Sequence, residues 1–196
     1  MCLLGYMRQT YRDFEVVVAD DGSADDTSSV IARCKDIAPF PIRYVWQEDK
    51  GFRLAKIRNE GIKASRYDYI IFSHGDCIPK ADFIRTHVSN SGDSYILGGS
   101  HIRLPKDYSD ALTPEAVSKG LFEEYLTPRI MAELRWKHRK NIFYMLVRKK
   151  RRPKFTGMNF SMPKRALYEI NGFDENYEGW GQEDSDLRER LKRLGL

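Results

Sequence analysis

The sequence predicts an α/β protein with a mostly parallel central sheet and helices on both faces. Short apolar runs alternate with stretches of helical spacing, as in a chain that alternates strands and helices. The first three runs, residues 14–19, 42–46 and 67–72, are apolar almost throughout. Such runs are typical of parallel strands that are covered on both faces.

The remaining elements follow from local spacing. A helix after the first strand places four residues on one face: Val30, Ile31, Cys34 and Ile37. We expect a loop entering a helix over 51–65, a helix over 81–88 and a further strand over 95–104. Pro114 opens another helix at a position where proline is tolerated. The last helix is predicted from leucines at i, i+4 and i+7: Leu187, Leu191 and Leu194.

The bulk composition indicates one globular domain with a real core. The chain has 196 residues, and no apolar run approaches the length of a membrane-spanning helix. Its three cysteines are an odd number without paired spacing. This favours a reducing compartment, hence a cytoplasmic location, over a disulfide framework or a zinc site.

The net charge of +5 is concentrated in one segment. Residues 129–154 hold eleven Lys or Arg and a single acid, Glu133, so the segment carries +10 and the remainder −5. This segment could contact an anionic membrane surface at the cytoplasmic face. Alternatively, it could be a solvated helix and loop that covers an active site. Nucleic acid is the least favoured partner. The helix-like spacing of Trp136, Phe143 and Tyr144 predicts packing within the protein, not base stacking.

Acidic turns follow two of the predicted strands. Asp20 and Asp21 come after the first, and Asp76 comes after the third. Ligands of parallel sheets bind beyond the carboxyl ends of the strands, where carboxylates suit a divalent cation or ribose hydroxyls. The alternative is that Asp-Gly after a strand is turn chemistry alone.

A second candidate region lies near the C-terminal end. Trp180 stands between two glycines, and Glu183 and Asp184 occupy the first turn of the last helix. Acids there are favoured by the helix dipole, which is one interpretation. The other is an aromatic platform beside a carboxylate that takes a proton.

Taken in order, these motifs resemble the family 2 glycosyltransferases with the Rossmann-like GT-A fold. The resemblance rests on Asp20-Asp21-Gly22-Ser23, on Gly51 through Arg58-Asn59-Glu60-Gly61, on His74-Gly75-Asp76, on Gly157-Met158-Asn159-Phe160-Ser161 and on residues 171–187. It implies a single GT-A domain over 1–196, with a nucleotide-sugar-binding half at 1–104 and an acceptor-binding half at 105–196.

The resemblance also implies roles for individual residues. Asp20, Asp21 and Arg58 would contact the nucleotide, and Asp76 with His74 would hold Mn²⁺ or Mg²⁺. Arg53 and Lys56 are weaker candidates, since solvated helix charges explain them as well. On the acceptor side, Asp184 would be the base, Glu183 would hydrogen-bond the sugar, and Trp180 would stack on it.

Three departures from the family pattern qualify the expectation. His74 stands where the family usually has the first Asp of its metal motif. The chain starts after the family's first strand, and no histidine follows His138, so we expect a domain truncated at both ends.

The function expected is an inverting transferase that moves a sugar from a nucleotide-diphosphate sugar, expected to be UDP-linked, to a saccharide or glycolipid acceptor in cell-surface polysaccharide synthesis. The alternative is a non-catalytic remnant that binds nucleotide or serves as an interaction module. A nucleotidyltransferase is disfavoured because no glycine-rich phosphate loop follows a strand.

Overall fold

The computed structural model describes residues 1–147 and 157–195, apart from the side chains of Asp25 and Met145. Its strands are β1 (Val16–Asp20), β2 (Ile42–Trp46), β3 (Tyr69–Ser73), β4 (Leu97–Gly98) and β5 (Asn159–Pro163). Its helices are α1 (Cys2–Met7), α2 (Asp25–Ile37), α3 (Leu54–Ala64), α4 (Phe83–Ser89), α5 (Lys106–Asp110), α6 (Pro114–Lys119), α7 (Pro128–Leu146), α8 (Lys164–Glu169) and α9 (Glu183–Arg193). A 3₁₀ turn, Leu121–Tyr125, joins α6 to α7.

The α/β class is confirmed, while the strand pairing is more varied than expected. β1 pairs with β2 in parallel. β3 instead pairs antiparallel with β5, which also pairs with β4, so the described strands form two sheets of order β1-β2 and β3-β5-β4. The expected parallel arrangement therefore holds for the first two strands only.

The predicted strand over 95–104 was wrong in its extent. Only Leu97 and Gly98 pair, because Gly98 is followed by Gly99, whose amide bonds to the Asn159 carbonyl before the chain leaves the sheet. Glycine weakens a strand interior, since it has no side chain to pack.

Two apolar clusters hold the chain together. One lies between α1, α2, α4 and the β1–β2 pair and includes Phe14, Ile31, Phe40, Ile42 and Ile84. The other joins α3, β5, α8 and α9; its fully buried members include Phe160, Met162, Leu167, Leu187 and Leu191. Leu187 and Leu191 of α9 thus pack as predicted and hold the helix in this cluster, whereas Leu194, which follows the helix, is 44% exposed.

A cavity of about 1070 Å³ lies between the two sheets. Consecutive residues of β1 (Val16 to Ala19) and of β3 (Tyr69 to Ser73) line it. Each of these strands has a partner on one side only within the described residues, so backbone edges as well as side chains face the cavity. At one end it reaches Arg58, His74 and Asp76.

Candidate functional site

The Asp20–Asp21 turn leaves the carboxyl end of β1. Asp20 is 7% exposed and accepts hydrogen bonds from the Ser23 amide at 2.8 Å and the Tyr44 hydroxyl at 2.6 Å. Burial alone would raise the pKa of Asp20, but these hydrogen bonds outweigh it and the pKa is lowered. Both oxygens of Asp20 are therefore engaged within the protein, and the residue holds the turn in shape.

Asp21 connects this turn to the start of α3. Its carboxylate accepts hydrogen bonds from the Gln47 side chain at 2.5 Å and from the Arg53 amide at 2.6 Å. Beside it, Gln47 Oε1 and Arg53 Nε are buried without a hydrogen-bond partner. Buried polar atoms of this kind are normally paired, so one unused acceptor and one unused donor lie next to Asp21.

Trp46 and Gln47 are residues that sequence reasoning did not select. Trp46 is the last residue of β2 and Gln47 follows it, and the carboxyl end of β2 lies beside that of β1. The Trp46 indole is 51% exposed and donates to the Ser23 carbonyl at 3.2 Å. Both residues lie at the carboxyl end of a parallel strand. The same criterion selected Asp20 and Asp76, and it could have identified Trp46 and Gln47 as well.

Arg58 is the residue through which the two halves of the site meet. It lies on α3, is 7% exposed, and its Nη1 is 2.8 Å from Asp184 Oδ1 and 3.4 Å from Glu183 Oε1. Its Nη2 is 3.3 Å from His74 Nε2 at the end of β3. One guanidinium thus bridges β3 to α9, which are far apart in sequence.

Asp184 is held from two sides. Besides Arg58, the Gly157 amide donates to Asp184 Oδ2 at 2.9 Å, and the carboxylate side chain remains 26% exposed. Each carboxylate oxygen has a second lone pair that can accept a proton. The geometry is that of a fixed carboxylate that still reaches solvent.

His74 and Asp76 are the metal-ligating candidates. His74 Nδ1 is 4.0 Å from Asp76 Oδ1, and the Asp76 side chain is 82% exposed. Burial and the neighbouring Arg58 cation lower the pKa of His74, although Asp76 and the α9 carboxylates oppose this. Among the described residues no three His, Cys, Asp or Glu side chains form a metal-binding group. His74 and Asp76 could therefore supply at most two of the ligands of a metal ion.

The acceptor-side candidates differ in how far they are exposed. Trp180 is 92% exposed, on a loop where Gly179 and Gly181 have positive φ, and the Gly179 amide bonds to the Phe52 carbonyl at 2.8 Å. Glu183 is only 7% exposed and faces Arg58. The indole is open to a ligand, whereas Glu183 is mainly a counter-charge in the unliganded protein.

The comparison with protein families gives a match to glycosyl transferase family 2 over residues 2–170. Chondroitin synthase from Escherichia coli is 27% identical over 96% of this chain and 29% of its own length. Validoxylamine A glucosyltransferase from Streptomyces hygroscopicus is 28% identical over 96% and 47%, and hyaluronan synthase from Pasteurella multocida is 29% identical over 99% and 21%. The chain spans less than half the length of these relatives.

Two solved structures share the fold. The mannosyltransferase from Pyrobaculum calidifontis, in complex with GDP-Man and Mn²⁺, superposes with a TM-score of 0.63 at 18% identity, covering 99% of this chain and 48% of its own. GalNAc-T7 with UDP, GalNAc and Mn²⁺ gives a TM-score of 0.57 at 16% identity, covering 97% and 37%. Both are GT-A glycosyltransferases, which confirms the fold predicted here.

Proposed function

Because this chain belongs to glycosyl transferase family 2, we propose that it transfers a sugar from a nucleotide-diphosphate sugar to a saccharide or glycolipid acceptor. The observation that carries the proposal is the Arg58 bridge, which holds Asp184 beside the His74–Asp76 turn. Donor-side and acceptor-side groups are thereby fixed relative to one another before any ligand binds. Preorganisation of this kind is what a transfer between two bound substrates requires.

On the donor side we assign the nucleotide to the surface around Asp21. Gln47 Oε1 and Arg53 Nε are buried without partners in the unliganded protein; if these side chains turned outward, a uracil ring could satisfy them through its N–H and carbonyl groups. The exposed Trp46 ring lies close enough to bond to the Ser23 carbonyl and could stack on the base. Asp20 stabilises the same turn by accepting hydrogen bonds from the Ser23 amide and the Tyr44 hydroxyl.

The residues beside the diphosphate fit a divalent cation as partial ligands. The exposed Asp76 carboxylate offers oxygen ligands. His74 Nε2 accepts from the Arg58 guanidinium, so the neutral ring carries its proton on Nδ1, toward Asp76, and His74 could join as a ligand only by losing that proton or giving up the Arg58 contact. Mg²⁺ and Mn²⁺ are commonly held by one or two protein ligands together with substrate phosphates. When bound, the cation would neutralise charge on the departing diphosphate.

On the acceptor side we assign Asp184 as the base. It would take the proton from an acceptor hydroxyl, whose oxygen attacks the anomeric carbon as the bond to the diphosphate breaks and the nucleotide diphosphate departs. A single displacement inverts the anomeric configuration. Trp180 would stack on the acceptor sugar and Glu183 would bind one of its hydroxyls. The free cysteines favour a cytoplasmic enzyme.

The test compares Asp184→Asn with the wild type and with Glu189→Gln, a change at an exposed carboxylate on the same helix. A screen over UDP, GDP and TDP sugars measures donor turnover with saccharide acceptors. We expect Asp184→Asn to lower transfer by about 10²-fold or more, with UDP affinity by calorimetry nearly unchanged. Transfer that survives in Asp184→Asn would remove the base assignment.

The alternative, a non-catalytic nucleotide-binding module, has one observation in its favour. Both Asp184 oxygens already accept hydrogen bonds within the protein. Calorimetry with UDP in the presence and absence of Mn²⁺ separates the two. Metal-dependent UDP binding supports the transferase, and its absence supports the module.

A further inference from the structure

Helix α7 stands out from the body of the protein. Of its residues whose exposure is described, none is buried; Ile130, Met131 and Leu134 are half-buried on one side, and Tyr144 is also half-buried. A helix in contact with a core normally buries one stripe of its surface. The exposed side of α7 is therefore free to contact something outside the chain.

That exposed side is apolar along its centre. At 100° per residue, Trp136, Phe143 and Val147 project within about 20° of one direction, and Leu146 lies next to them. They are 61%, 60%, 44% and 77% exposed, respectively. The prediction that Trp136, Phe143 and Tyr144 pack inside the protein was wrong for Trp136 and Phe143, whereas Tyr144 is half-buried. The half-buried aliphatics Ile130, Met131 and Leu134 lie on the opposite side of the helix.

Cations border the apolar stripe on both sides. Arg139 and Lys140 flank Phe143 and Trp136 on the helix surface, with Arg135 and Lys137 further out. The Lys140 ammonium lies 4.9 Å from the centre of the Trp136 ring. Long cationic side chains of this kind can keep their charges at a polar boundary while the apolar stripe enters a less polar phase.

We propose that α7 lies flat in the headgroup region of an anionic phospholipid bilayer, with Trp136, Phe143, Leu146 and Val147 inserted and the flanking cations at the lipid phosphates. Residues 129–147 carry five Lys or Arg against one Glu, and the next seven residues, all of which lie outside the described part, add six more cations in the sequence. Basic clusters beside an amphipathic helix are attracted to anionic lipid, and the apolar stripe adds insertion.

Other occupants fit the surface less well. A second copy of α7 would bring two equally basic helices together, which is unfavourable. Nucleic acid would use the cations but leave Leu146 and Val147 in water. The 19 residues of α7 extend about 28 Å, and the described chain contains no helix sufficiently long and apolar to span a bilayer. The expected contact is therefore peripheral.

The test is co-sedimentation of the full chain with vesicles of phosphatidylcholine alone or mixed equally with phosphatidylglycerol. We expect binding to the mixed vesicles only. Trp136→Ser with Phe143→Ser should lower the partition constant by about tenfold or more. Val30→Ser with Ile37→Ser, which removes two exposed apolar side chains of α2, is the matched control and should bind as the wild type.

Three results would overturn the proposal: unchanged vesicle binding in the Trp136 and Phe143 variant, binding of duplex RNA or DNA without vesicle binding, or a dimer that this variant dissociates in the absence of lipid binding. Circular dichroism verifies that each variant is folded. Because the assay contains neither donor nor metal, its outcome is independent of the transfer reaction.

Discussion

Arg58 is the shared ion-pair partner of Glu183 and Asp184, the two carboxylates at the start of α9. Arg58 and Glu183 are each 7% exposed, and Asp184 shares the same guanidinium. Its ring contact with Phe173, at 5.1 Å from guanidinium carbon to ring centre, fixes the plane of the fork. Lysine could not replace it, because one ammonium cannot bond to His74 and Asp184 from two positions at once.

Gly157 offers a test of how closely Asp184 must be placed. A Cβ at Gly157 would overlap Asp184 Oδ2 and approach Arg58 Nη2 to 2.7 Å. We expect Gly157→Ala to lower transfer by about tenfold to a hundredfold, since small displacements of a catalytic group cost that much. Donor turnover measures the effect.

The control is Gly61→Ala on α3, whose Cβ would meet only Ala19 and Val17 at ordinary contact distances. It should keep its activity and gain helix stability. Equal activity in the two alanine variants would show that Gly157 does not limit the position of Asp184.

At the residue scale, the candidate site residues could be selected from the sequence, but the residues that they contact could not. Asp76 and Trp180 are exposed, and Asp21 lies beside polar atoms that have no partner; the roles that their motifs imply stay predictions. The resemblance implies that Arg58 contacts the nucleotide, and this stays a prediction. In the unliganded protein the Arg58 guanidinium contacts Asp184 of α9, 126 residues away, and local spacing carries no information on such a contact.

At the scale of elements, α4 is tied to β3 and β5 by a buried chain of hydrogen bonds. Tyr69 Oη lies 2.9 Å from Ser161 Oγ, which lies 2.7 Å from His87 Nδ1. His87 Nε2 lies 2.9 Å from Asn159 Oδ1, and the Asn159 amide donates to the Ser100 carbonyl at 2.9 Å. All of these contacts are satisfied by neutral His87 with its proton on Nε2.

Burial lowers the pKa of His87, so the unfolded chain takes up its proton first as the pH falls. The stability contribution is complete above the unfolded value of about 6.5 and is lost as the pH drops through the lower folded pKa. We expect the free energy of unfolding, from urea titrations between pH 5 and 8, to fall by up to about 1.4 kcal/mol per pH unit for this group.

His87→Gln should flatten part of that slope, and His74, whose pKa is also lowered, contributes to the part that is left. His101→Gln, at an exposed position, serves as the control. A slope that is identical in the wild type and His87→Gln would exclude His87 as a contributor.

Element prediction succeeded where one period dominated and failed where two signals competed. β1, β2, α3 and α9 follow their apolar spacing. β5 alternates Phe160 and Met162 with polar residues, as a strand does. It was not predicted as a strand, because the segment was interpreted only as a family motif and because it ends in a proline, which is uncommon within sheets. Its partners, β3 and β4, are distant in sequence, so the antiparallel sheet could not be inferred.

At the scale of the whole molecule, the cavity between β1 and β3 exposes strand edges and apolar side chains together. Such edges are templates for pairing with another chain. We expect sedimentation velocity to show association that increases with protein concentration. Val17→Lys, within the cavity lining, should reduce it by charge repulsion, provided that circular dichroism shows a folded variant. A monomer over the whole concentration range would contradict this.

The tryptophans give the molecule an unusual optical property. All three, Trp46, Trp136 and Trp180, are more than half exposed. Native emission should therefore lie near that of the unfolded chain, which makes it a poor monitor of folding. It should instead report on occupancy: one fluorophore lies beside the proposed nucleotide surface, one on the proposed lipid-facing helix and one at the proposed acceptor platform. In variants that keep a single tryptophan, a change in fluorescence on adding nucleotide, lipid or acceptor would report binding at one surface at a time.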